Sequence, residues 1–118
     1  VWYIDKPCYE HQLAEQISDI IVSFASSFNT ILASASTFGK NIIPRVAAQL
    51  DVSQVSDVSK IIDKSVFEHP IYAGNAIETV RVLDATKVMT VRTTAFNPVI
   101  ENQAACCIET ITSESTFE

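Results

Sequence analysis

Glycine is nearly missing from this chain: Gly39 and Gly74 are the only two in 118 residues. A loop that wraps a dinucleotide or a triphosphate needs several glycines close together so that backbone can approach phosphate. Self-contained nucleotide loops of those kinds are excluded. Cysteine is scarce too, with three residues, Cys8, Cys106 and Cys107. They are badly placed for a disulfide framework, because adjacent cysteines do not readily bridge each other, and their usage fits a reducing compartment. Basic residues number 8 against 14 acidic ones, a net charge of −6. The resulting field repels phosphate backbones and acidic bilayers, so no nucleic acid is expected as a partner. The longest apolar stretch, Ile20 to Phe28, is broken by serines. It falls far short of the roughly 20 residues of a membrane span, so no membrane insertion is expected, and no signal peptide is visible. His11 and His69 lack a ligand at helical metal spacing, and no G-x-S-x-G elbow marks a nucleophile.

What remains is a globular composition, 47% hydrophobic and 19% charged, with the length of one domain. The opening Val1-Trp2-Tyr3-Ile4 has no Met and reads as a buried strand closed at Asp5-Lys6-Pro7. From Glu10, the residues Leu13, Ile17, Ile20, Ile21 and Phe24 recur at helical spacing and predict one apolar helical face. Ile31-Leu32-Ala33 predicts a second strand, and Thr37 is placed to cap a helix. Ile42, Ile43, Val46, Ala47 and Leu50 line the buried face of that helix, which should end at Asp51, and Pro44 inside it threatens a kink. Strand, helix, strand, helix is the pattern of parallel α/β architecture.

The second half changes character. Val55–Ile62, Val66–Tyr72, Ile77–Leu83 and Val88–Val91 are β-rich runs separated by turn residues, with no helix-length segment between them, and predict antiparallel hairpins. After Arg92 no basic residue occurs, while Glu101, Glu109, Glu114 and Glu118 accumulate; this end reads as a connector or loosely packed tail.

Few residues stand out as chemistry. Thr37-Phe38-Gly39-Lys40-Asn41 lies between a strand and a helix, where free N–H groups favour an anion. It fails as a P-loop, since Ser34 holds the first glycine position and Asn41 the magnesium-binding one. The structural reading, Gly39 as a tight turn and Lys40 as solvated, is favoured. Phe67 to Asn75 reads as a strand ending at a Gly-Asn turn. Cys106-Cys107 reads as interior packing. Arg45 and Arg92 are each placed to reach an interface carboxylate or phosphate, with a surface salt bridge as the plainer account.

Read as continuous strings, residues 37–52, beginning Thr37-Phe38-Gly39-Lys40-Asn41, and then Gln54-Val55-Ser56-Asp57 closely resemble the alpha subunit of electron-transfer flavoprotein. Pro70-Ile71-Tyr72-Ala73-Gly74-Asn75-Ala76, Val91-Arg92-Thr93-Thr94-Ala95-Phe96 and, upstream, His11-x-Leu13-Ala14-Glu15 resemble further blocks of that family, in order. One departure is His69, where the family usually has a basic residue; an unperturbed histidine is mostly neutral at pH 7.

The resemblance implies a three-layer Rossmann-like domain of the adenine nucleotide alpha hydrolase-like type, with parallel strands and an antiparallel second half, truncated at both ends. Residues 1–96 would be part of the N-terminal α/β domain and 97–118 an acidic connector toward a missing FAD-binding domain. It implies a heterodimer with a beta subunit that holds AMP. Electrons would pass from acyl-CoA dehydrogenases through FAD to a quinone oxidoreductase of the respiratory chain, in the mitochondrial matrix or the bacterial cytoplasm. That chemistry belongs to the cofactor. The segment would be a scaffold with Lys40, Asn41, Arg45, Tyr72, Asn75 and Arg92 as interface candidates, and no catalytic, cofactor-binding or metal-binding residue is expected within it. The alternative from another class is a stand-alone nucleotide-binding α/β domain with hydrolase activity; a third is a purely structural interaction domain.

Overall fold

A computed structural model describes residues 1–101 and 103–112. The helical periodicity from Leu13 onward produces α1 over Ala14–Phe24. It does not begin at Glu10, because a 3-10 turn at Pro7–Tyr9 and the left-handed Gln12 (φ 47°) intervene. Strand β2 follows at Thr30–Ser34, then α2 at Thr37–Leu50. The N-cap of α2 is Ser36 rather than Thr37, its hydroxyl accepting the Gly39 N–H at 3.2 Å. As predicted, α2 stops at Asp51, which turns left-handed (φ 54°) while the Val52 N–H donates to the Ala47 carbonyl. Pro44 lies within α2 on its exposed side, where the missing N–H leaves the Lys40 carbonyl to solvent.

The predicted run Val55–Ile62 divides at Ser59 into β3, Gln54–Val58, and β4, Lys60–Asp63. With β5 (Val66–Ile71) and β6 (Ala76–Arg81), β4 forms the expected antiparallel sheet, in the order β4-β5-β6. Strand β7, Lys87–Val91, departs from the hairpin expectation: it lies between β2 and β3, parallel to both. Its composition explains the placement. Val88, Met89 and Thr90 are all buried, and a strand covered on both faces belongs at the centre of a parallel sheet rather than in a half-exposed hairpin.

Side chains of β7 alternate between two cores. Val88 faces Ala14, Ile42, Ile43, Val46 and Ala47 of the two helices, with Leu50 packed against them as predicted. Met89 joins Val55, Val58, Phe67 and Val82. The molecule thus has three layers: a helical pair, the parallel sheet β2-β7-β3, and the antiparallel sheet. The α/β class with parallel strands and an antiparallel second half is what the structure has.

Gly39 is not a turn glycine. It sits in the first turn of α2, where a Cβ would stand 2.0 Å from the Ser34 carbonyl oxygen, so glycine is needed for helix and strand to touch. The opening strand β1 is only Trp2–Tyr3 and is exposed, not buried. It pairs in parallel with β8, Glu109–Thr110. Trp2 instead packs against Phe24 at a tilt and edge-on against Phe28, with ring centres 5.2 and 5.3 Å away. Cys106 and Cys107, expected inside, are exposed, because residues 103–108 run outside both cores. Glu101 and Glu109 of the acidic end are described and exposed, while Glu114 and Glu118 lie outside the described residues.

Candidate functional site

Parallel strands deliver their last residues to one rim of the sheet, and loops there carry function in open α/β architectures. At this rim β2 ends at Ser34, β3 at Val58 and β7 at Val91. The pairing of β3 with β7 slips between Val55 and Val58, a bulge that leaves Asp57 left-handed at φ 60°. The bulge is held from beneath: the Asp57 N–H donates to Thr90 Oγ1 at 2.8 Å, and Thr90 is fully buried.

The bulge turns the Asp57 carboxylate toward Arg92, the first residue after β7. Arg92 Nε donates to Oδ1 at 3.2 Å and Nη2 donates to Oδ2, a two-point fork. The Arg92 N–H also donates to the Val58 carbonyl at 2.8 Å, and the Ala35 N–H to that of Val91. The guanidinium holds the Asp57 carboxyl below its ordinary value of 3.8, partial burial opposes this, and Lys40 and His69 add to the lowering. Asp57 was quoted in the sequence only as part of a string; a carboxylate between Val55 and Val58 of a β-rich run was the available signal.

The other candidates lie elsewhere. Lys40 and Asn41 are exposed on the first turns of α2. Arg45, farther along α2, makes a 3.5 Å ion pair with Glu15 of α1, the surface salt bridge of the plainer account. Tyr72 and Asn75 bracket a tight turn after β5, Tyr72 79% exposed and the Asn75 N–H donating to its carbonyl. The predicted Gly-Asn turn is there, with Tyr72, Ala73 and Gly74 all at positive φ. His69 meets Glu78 across β5 and β6 at 2.9 Å. The six candidates therefore occupy three places: the sheet rim, the outer side of α2, and the β5–β6 turn.

No group of three or more His, Cys, Asp and Glu residues able to hold a metal occurs among the described residues. A flavin pyrophosphate does not fit the strand–helix junction either, because Gly39 is pressed onto the Ser34 carbonyl and its own N–H is taken by Ser36. No helix among the described residues is long and apolar enough to cross a membrane.

Parallel strands under a helical pair, with an antiparallel sheet on the far side, define an α/β domain. A sequence model of the electron transfer flavoprotein domain matches residues 1–115, and the chain belongs to that family. It is 43% identical to the electron transfer flavoprotein subunit alpha of Pseudomonas aeruginosa, over 91% of this chain and 35% of that protein. It is 52% identical to the mitochondrial alpha subunit of Dictyostelium discoideum, over 80% and 28% of the two chains. The alpha subunit of Paracoccus denitrificans is 50% identical, over 86% and 33%. The chain thus spans about a third of these relatives' length.

Proposed function

We propose that this chain is the N-terminal-domain portion of an electron transfer flavoprotein alpha subunit and serves it as scaffold and partner surface. The observation that carries the proposal is the match over residues 1–115, together with relatives named as alpha subunits. Residues 1–96 form the α/β unit and residues 97–118 lead toward a flavin domain elsewhere in the full-length subunit. The redox chemistry is that of FAD bound there. The beta subunit, holding AMP, completes a heterodimer. Acyl-CoA dehydrogenases supply electrons and a quinone oxidoreductase removes them, placing the protein in fatty acid beta-oxidation. The relatives include bacterial and mitochondrial proteins, and the bacterial cytoplasm or mitochondrial matrix is the matching location.

Under this proposal the beta subunit is met by the exposed turn bearing Tyr72 and Asn75 and by Lys40, Asn41 and Arg45 on α2. Arg92, held by Asp57 at the sheet rim, is the remaining interface candidate. Co-purification of the full-length subunit with its beta subunit tests the assignment. Tyr72→Ala with Asn75→Ala is expected to lower recovery of the complex while leaving the alpha subunit folded. Unchanged recovery would remove the turn from the interface.

A further inference from the structure

Beside the Asp57–Arg92 fork the sheet rim opens into a cavity of about 300 Å³, walled by Ser34, Ser36, Arg92, Thr93 and Thr94. The fork uses only one edge of the guanidinium, Nε and Nη2. Among the described residues Nη1 has no hydrogen-bond partner, and neither do the hydroxyls of Thr93 and Thr94. Ser36, the N-cap of α2, lines the cavity with its hydroxyl already accepting the Gly39 N–H.

We propose that Arg92 Nη1 and the Thr93 and Thr94 hydroxyls form a binding site for a phosphate group, with Asp57 as the residue that positions Arg92. The proposal concerns this chain's own residues; only the assembled protein used in its test rests on the electron-transfer reading. Three features support it. A guanidinium held by a fork on one edge is pre-oriented to make further charge-assisted bonds from the other, at reduced entropic cost. The two charges in the cavity lining, Asp57 and Arg92, cancel, and Lys40, which lies outside the lining, adds a positive field that reaches the same carboxylate and suits an anion. The bulge and the left-handed Asp57 are strained backbone held in place by a buried threonine, and such strain collects at sites that orient a side chain. Hydroxyls beside a fixed guanidinium match the acceptor oxygens of a phosphate, whether free or carried by a nucleotide.

Modification of arginines by phenylglyoxal, mapped by mass spectrometry on the full-length subunit assembled with its beta subunit, tests the site residue by residue. Inorganic phosphate is expected to slow labelling of Arg92 about tenfold, the factor a net gain of about 1.4 kcal/mol provides. Chloride at equal ionic strength should leave Arg92 unchanged. Arg81, exposed at the end of β6 and outside the proposed partner surface, is the internal control and should label at the same rate throughout. Asp57→Asn should erase the protection at Arg92, and Thr93→Val with Thr94→Val should raise the phosphate concentration that protects. If AMP protects at lower concentration than phosphate, a nucleotide is the source; equal protection assigns free phosphate. Labelling of Arg92 that ignores phosphate, or that falls equally at Arg81 or in chloride, overturns the proposal. So does an Arg92 already unreactive before phosphate is added, since the site would then be closed in the assembled protein.

Discussion

Arg92 lies against the carboxylate of Asp57, 35 positions earlier in the chain, and ties the exit of β7 to the bulge in β3. Because Arg92 lowers the Asp57 pKa, the folded state binds this proton less readily than the unfolded chain does. The pair's contribution is therefore fully present above the ordinary carboxylate value of 3.8 and is lost as pH falls below it, toward the lower folded value. Asp57→Asn keeps a residue that tolerates the left-handed conformation and removes only the charge. The variant should unfold at lower temperature than the parent at pH 6, and the difference should shrink as pH is lowered through that window; thermal melts followed by circular dichroism read it.

The hydroxyl of Thr90 is the hidden half of this arrangement. Thr90→Val is close in shape but leaves the Asp57 N–H without its partner, which should cost about 1–3 kcal/mol in urea unfolding. A variant as stable as the parent would mean that water or backbone relaxation satisfies the bulge.

Gly39→Ala places a methyl group where the Ser34 carbonyl oxygen already stands. Since the obstacle is backbone, α2 must lift from β2, and a loss of about 3 kcal/mol or more is expected. Ser36→Ala, which removes only the N-cap, should cost about 1 kcal/mol. Equal effects at the two positions would count against the close-approach reading of Gly39.

Ile43 is 1% exposed between the helices and β7, and Ile43→Ala should cost about 2–5 kcal/mol. Leu32→Ala, on the free edge of β2 and 58% exposed, should change stability by less than about 0.5 kcal/mol. The contrast checks which side of the parallel sheet is core in the isolated chain.

Much of the fold could be read from spacing alone. Ile42, Ile43, Val46 and Ala47 sit where a 3.6-residue period puts them, and Asp51 ends α2 as expected. Strand β7 was misread because sequence order says nothing about insertion between two earlier strands; burial on both faces, written in Val88-Met89-Thr90, was the physical clue. Thr37 and Ser36 are adjacent hydroxyl residues and either can cap, so only backbone geometry separates them. Of the site, Arg92 was visible and its partner was not, because a contact across 35 residues depends on strand order and on a one-residue bulge. The exposure of Cys106 and Cys107 follows from where residues 103–108 run, outside both cores, which their apolar character did not reveal.

The central claim is that this part of the alpha subunit is scaffold and that the flavin is held elsewhere. The measurement is the flavin-to-protein ratio, taken from the visible absorbance of purified material. The full-length subunit assembled with its beta subunit should be yellow, with flavin near one per complex, whereas the 118-residue chain, alone or with the beta subunit, should be colourless. A yellow preparation of the 118-residue chain carrying stoichiometric flavin would contradict the account, because it would place the flavin site within these residues.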